Sequence, residues 1–315
     1  SIRMNKKLIT SVAVVAVVVV AWLLWPSKPA EASEIEVGGT KLDFYGSINY
    51  KLSNDENSSG NSYMKAENNG SKIGVNITED IADGISGFAT VELGLDADDS
   101  NNNPLDSRLA FAGVDFGTIG KLSAGRQASP FTTNISGHTD VFEVYGSGAD
   151  QTLFDRDTNT IAYSNTVGAL TFDGLVKIDG STGKDGVDVQ EGTVSISEGI
   201  VSVSAGASVD NVNDINYYGA GATVDLEVAT VGYTYTMKDA ATDVTANEVV
   251  VSKTIDATTF TGGYGKVEDS TAYYTAGVSH SFTEALSSYA EFQRADNTGS
   301  TVDTDSYSAG IKFAF

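Results

Sequence analysis

Two-residue alternation of apolar and polar side chains constrains this chain more than any other feature. Between Lys41 and Leu52 the positions Leu42, Phe44, Gly46, Ile48, Tyr50 and Leu52 are apolar or small, while Lys41, Asp43, Ser47, Asn49 and Lys51 are their polar partners. The same division recurs in Val201, Val203, Ala205, Ala207 and Val209 against Ser202, Ser204, Gly206 and Ser208. It recurs in Val231, Tyr233, Tyr235 and Met237 against Thr230, Gly232, Thr234 and Thr236, and at the end in Tyr307, Ala309, Ile311, Phe313 and Phe315 against Ser306, Ser308, Gly310 and Lys312. Period two puts successive side chains on opposite faces of a β-strand, so the chain after residue 32 reads as all-β. About sixteen such segments follow one another at roughly ten residues each, the length of a tilted membrane strand. No linker divides them, and residues 33–315 read as one domain.

A soluble β-sandwich also alternates, but its buried face is rich in bulky aliphatic and aromatic residues. Here the apolar face mixes large residues with Ala and Gly, and the other face is Ser, Thr, Asn, Asp and Gly. That composition suits a sheet with hydrocarbon on one side and water on the other. In hydrocarbon every backbone donor and acceptor must be paired internally, so such a sheet has to close and leave no edge. The expected fold is therefore a transmembrane antiparallel β-barrel of sixteen strands, with its 14 Tyr and 13 Phe available as interface girdles.

The first 32 residues are a different object. Lys6 and Lys7 precede an uncharged apolar run from Leu8 to Trp25, and Ala30-Glu31-Ala32 supplies small residues at signal-peptidase spacing, which reads as an export signal cleaved after Ala32. The competing reading is a retained anchor, since the run approaches the ~20 residues that span a bilayer. The whole chain carries 19 Lys and Arg against 42 Asp and Glu, for a net charge of -23; setting aside Arg3, Lys6, Lys7, Lys28 and Glu31 leaves 15 against 41, or -26. Such a body repels phosphate and excludes a basic nucleic-acid binder. The absence of cysteine rules out thiol nucleophiles and Cys-ligated metals.

Several short strings then carry a resemblance. Lys41-Leu42-Asp43-Phe44-Tyr45-Gly46, Ser71-Lys72-Ile73-Gly74-Val75 followed by Glu79-Asp80, Arg108-Leu109-Ala110-Phe111-Ala112-Gly113 and Gly120-Lys121-Leu122-Ser123-Ala124-Gly125-Arg126 stand in the order and spacing of the general diffusion porins of the Gram-negative outer membrane. The chain resembles that family over residues 34–315. The resemblance implies a sixteen-stranded barrel, a homotrimer, a surrounding of outer-membrane lipid and lipopolysaccharide, and recognition by the outer-membrane assembly machinery through the strand ending at Phe315. It also implies an inward-folded constriction loop, here at about 128–157, whose acidic pair faces a basic ladder on the barrel wall. Asp140 and Glu143 match the acidic pair; Lys72, Arg108 and Arg156 match the ladder, with Arg126 a further member. The family often carries Pro where this chain has Phe142, and its first-strand cation is Ser47 here.

Facing charges across a narrow aqueous gap create a transverse field that low-dielectric walls focus. The expected function is passive diffusion of small hydrophilic solutes and ions with weak cation preference, the preference following from the -26 body and from Ser47. The alternatives are a secreted or surface-attached structural or adhesive β-protein and a substrate-selective porin. No enzyme is expected: His138 and His280 lack the surroundings of a triad, and Gly146-Ser147-Gly148 lacks the helix of a phosphate loop. No cofactor or metal is expected either. The acidic strings Asp96-Ala97-Asp98-Asp99 with Asp106, and Asp185, Asp188 and Glu191, lack calcium-loop spacing and read as solvated loops.

Overall fold

The computed structural model describes residues 34–98, 103–183, 185–299 and 302–315; residues 1–32, expected to be an export signal, and Asp99 lie outside the described residues. Among the described residues the strand segments are β1 (Glu34–Val37), β2 (Thr40–Glu56), β3 (Ser62–Asn68), β4 (Lys72–Ala82), β5 (Ile85–Leu95), β6 (Leu105–Asp115), β7 (Lys121–Ala128), β8 (Arg156–Val167) and β9 (Leu170–Lys177). They continue as β10 (Val189–Glu198), β11 (Val201–Asp210), β12 (Ile215–Asp225), β13 (Thr230–Asp239), β14 (Val244–Ile255), β15 (Thr258–Val267), β16 (Thr271–Ser281), β17 (Leu286–Asn297) and β18 (Thr304–Ala314).

From β4 onward each segment pairs antiparallel with the next, and β18 pairs with β2. That last pairing, sealed by reciprocal backbone bonds between Gly46 and Phe315, closes the sheet and abolishes its edges. β2 pairs with β3 through Tyr50–Glu56 and with β4 through Thr40–Ser47, so β3 and β4 are two halves of one staggered strand. β1 is a short arm on the foot of β2. The result is a closed sixteen-stranded barrel.

Its surface is inverted relative to a water-soluble protein. On β18 the outward Ile311 and Phe313 are 53% and 50% exposed, whereas the inward Ser308 is 5% exposed. On β13 the inward Thr234 and Thr236 are fully buried while Tyr233 and Tyr235 face out. Alternation therefore sorts apolar residues to the outside and hydroxyls to the lumen, as hydrocarbon outside and water inside require.

The tight turns are set by glycine: Gly168 between β8 and β9 and Gly199 between β10 and β11 take φ of +62° and +59°, a left-handed conformation that β-carbons disfavour. The connection from β2 to β3 is short, because Asp55 and Glu56 stay paired with Tyr63 and Ser62. The string Asp185, Asp188, Glu191 is not one solvated loop. Glu191 lies within β10, 7% exposed, and Asp188 is buried, accepting from the amide of Asp179.

Candidate pore constriction

The segment 129–155 between β7 and β8 lies inside the barrel. It opens with α1 (Pro130–Ile135), whose N-cap Ser129 accepts from Thr132 N and whose first turn carries Pro130, both favourable helix-start choices. Phe131 and Ile135 are fully buried in a cluster with Tyr217, flanked by Leu153 and Ile215. This apolar island in a polar lumen fits because Gly219 of β12 has no side chain: a β-carbon there would stand 2.9 Å from both Ile135 and Phe131.

The rest of the segment runs along successive wall strands. Glu191 of β10 accepts from Ser129 Oγ at 2.7 Å and from Phe131 N at 3.3 Å. Asn134 donates to Asp173 and Thr193, each at 2.8 Å. His138 bridges Thr223 of β12 at 2.7 Å and Ser204 of β11 at 3.0 Å, and burial lowers its pKa, favouring the neutral ring. Thr234 of β13 donates to Asp150 at 2.8 Å, and Glu248 of β14 accepts from Ser147 N at 2.8 Å. Farther round, Glu291 of β17 accepts from the backbone amides of Glu143, Val144 and Tyr145 at 2.6, 2.9 and 2.9 Å. Tyr145 donates to Asp55 at 2.7 Å.

Of the acidic pair, Glu143 accepts from Lys312 of β18 at 3.0 and 3.2 Å and from Asn49 at 3.4 Å. Asp140 makes no ion pair with a cation among the described residues. Although it remains exposed along one side, the surrounding loop and wall strip water from its carboxyl and raise its pKa, and the nearby Asp155 and Glu143 push in the same direction.

The basic positions fall on the stretch of sheet from β4 to β8: Lys72 on β4, Arg108 on β6, Arg126 on β7 and Arg156 at the start of β8. The β5–β6 register passes from Glu92↔Leu109 to Leu93↔Ser107, leaving Arg108 as the extra residue of β6. Such a bulge re-aims a side chain relative to strict alternation. At the β7–β8 shift, by contrast, the extra residues 158–159 belong to β8. Arg126 stays paired with Ala110 on the outward face it shares with Leu122 and Ala124, away from the lumen side expected of it. Glu92 of β5, 4% exposed, binds Arg108 at 2.6 Å and Lys72 at 3.4 Å and accepts from Tyr45 at 3.0 Å. Arg156 lies within electrostatic reach of Arg108, Arg126, Asp155 and Glu92, and Arg126 donates to the carbonyl of Ser107 at 3.1 Å.

The family model for Gram-negative porins matches residues 12–300. The chain belongs to the Gram-negative porin family. It is similar to outer membrane porin F of Xenorhabdus nematophila, 30% identical over 154 residues that cover 46% of this chain and 40% of that protein. It is also similar to the putative outer membrane porin protein NmpC of Escherichia coli, 29% identical over 181 residues that cover 54% and 46%. The matched region thus spans less than half the length of these curated relatives. In fold it is similar to an anion-selective porin from Comamonas acidovorans, with a TM-score of 0.75 at 17% identity over 88% of this chain and all of that one. The Salmonella typhi OmpF structure with daunomycin gives 0.74 at 18% identity over 90% and 100%. Membership places this porin in the outer membrane.

Sequence reasoning did not reach Glu92, Glu248, Glu291 and Lys312 as parts of the site, and it read Glu191 as part of a solvated acidic loop. An acidic residue on a polar lumen face looks like any solvated residue of an acidic protein. The available signal is a Glu standing at an inward position among Ser, Thr and Gly, as in Gln190-Glu191-Gly192-Thr193.

Proposed function

We propose that this porin is a passive, water-filled channel for small hydrophilic solutes and ions, weakly cation-selective, working as a homotrimer. The observation that carries the reading is the segment 129–155, which lies within the closed barrel and brings Asp140 and Glu143 into a lumen whose wall holds Lys72 and Arg108, with Arg156 in electrostatic reach of Arg108. A solute passing such a loop exchanges bulk water for oriented water and fixed charges, and a polar solute aligned with the field loses least.

Two features support cation preference. Glu92 neutralises part of the basic wall, binding both Arg108 and Lys72, whereas Asp140 has no such partner within ion-pair distance among the described residues. The -26 charge of residues 33–315 adds a cation-attracting background. The test is a reversal potential for Asp140→Asn with Glu143→Gln against the parent protein in a salt gradient. Cation preference should fall in the double variant, and unchanged selectivity with unchanged conductance places the pair outside the constriction. Chemical crosslinking in mild detergent tests the trimer: a ladder ending at three supports it, and a single band removes it. Loss of outer-membrane assembly on deleting Phe315 is the expected result if the terminal strand is the recognition signal.

A further inference from the structure

The segment 142–146 is held from several directions, and one of its contacts is unlike the rest. Glu143, Val144 and Tyr145 are tied by polar groups: their amides to Glu291, the Glu143 carboxylate to Lys312 and Asn49, the Glu143 carbonyl to Asn69 at 3.0 Å. Phe142, immediately before them, is held by shape. A β-carbon at Gly263 of β15 would stand 2.9 Å from Phe142 Cε2, and one at Gly277 of β16 would stand 3.2 Å from Cδ1. Within the loop, Gly146 approaches the opposite edge of the ring, its β-carbon position lying 3.0 Å from Cδ2.

The two wall glycines form one notch. Gly263 pairs with Thr275, and Gly277 lies two residues on along the same strand, so both point inward as diagonal neighbours on one face. Val250 of β14, 3% exposed and paired with Gly263 in register, flanks the notch and gives it an apolar side. The ring can lie against backbone there only because both positions lack a side chain. A polar tether in a wet lumen competes with water and can exchange partners, whereas an aromatic ring seated on backbone has one well-packed position.

We propose that Phe142, seated in the Gly263 and Gly277 notch, is a positioning residue that fixes where Glu143 stands in the lumen and thereby sets ion preference. The inference rests on the reading of Glu143 as a constriction residue. The peptide bond joining Phe142 to Glu143 supplies the first of the three amides clamped by Glu291. Seating the ring therefore sets the point from which the Glu143 side chain departs toward Lys312. Without the ring, the carboxylate has a longer free segment and samples a wider part of the lumen.

The experiment records single-channel conductance and reversal potential in potassium chloride gradients for the purified full-length protein and its variants E143Q, F142A, F142A with E143Q, F142L and G263V. E143Q is expected to lower the cation-to-anion permeability ratio about twofold, as removal of one screened charge near the path would. F142A should lower it by a similar factor, and the double variant should go no further than the larger single effect. F142L should restore most of the parent ratio, because it refills the notch without a ring. G263V, which changes no loop residue, should reproduce F142A by filling the notch from the wall side. If E143Q shifts the ratio and F142A does not, or if the two effects multiply, the positioning role is overturned while the constriction reading stands. If E143Q itself leaves the ratio unchanged, the constriction reading fails and the inference fails with it.

Discussion

At the residue scale, the lumen of this porin is decided by which carboxylates have partners. Asp140 has its pKa raised by burial among loop and wall and by the carboxylates of Asp155 and Glu143. Its proton is therefore taken up at a higher pH than the ~3.9 of an unperturbed Asp. Cation preference should begin to fall, as pH is lowered, while ordinary exposed carboxylates are still ionised. Reversal potentials taken across a pH series check this, and Asp140→Asn should flatten the early part of the profile. Asp150 is raised for the same first reason, burial. A carboxyl raised in the folded protein stabilises the docked loop fully below its unfolded pKa and loses that contribution as pH rises through the folded value. Loop docking should accordingly weaken as pH rises through the folded value of Asp150, which rising open-channel noise would register. Glu92 works in the opposite direction: Glu92→Gln keeps a hydrogen-bonding shape but leaves Lys72 and Arg108 uncompensated, so permeability should move toward anions. An unchanged reversal potential in that variant would place the trio away from the ion path.

At the element scale, the constriction loop is fastened by wall glutamates more than by its own helix. Glu191 holds its root, Glu248 its far turn and Glu291 the segment after Phe142. Hydrogen bonds to an ionised acceptor contribute about 1.5–3 kcal/mol each, so Glu291→Ala, which orphans three amides, should loosen the loop. The expected outcome is higher mean conductance with larger fluctuations, and faster proteolytic nicking within residues 139–150. The seam between β18 and β2 is equally specific. A β-carbon at Gly46 would stand 2.7 Å from Phe315 Cζ and 2.8 Å from the Lys72 carbonyl, so Gly46→Val should lower the temperature at which the barrel unfolds on a heat-modifiability gel. Strands of this kind are readable from sequence because the difference between hydrocarbon and water is written into every second residue, as at Tyr233 and Thr234. The break between β3 and β4 was not readable, since it depends on Ser71 exchanging hydrogen bonds with the backbone of Asn49 across the sheet.

At the scale of the whole molecule, the same division explains what the sequence could and could not reveal. The candidate charges Asp140, Glu143, Lys72, Arg108, Arg126 and Arg156 could be picked out by their place in resembling strings. Their compensating partners could not: Glu92 binds Arg108 and Lys72 only once β4, β5 and β6 are in register, and Lys312 meets Glu143 across 169 positions of chain. An apolar exterior, a hydroxyl-lined interior and a loop laid along the wall together make a closed cylinder that is wet inside. On the proposed function this cylinder conducts and prefers cations. The most direct test is single-channel recording of the purified protein in a planar bilayer across a potassium chloride gradient. Discrete conductance steps with a reversal potential of the cation-selective sign are predicted; an absence of steps, or a reversal potential of the anion-selective sign, would contradict the proposed function.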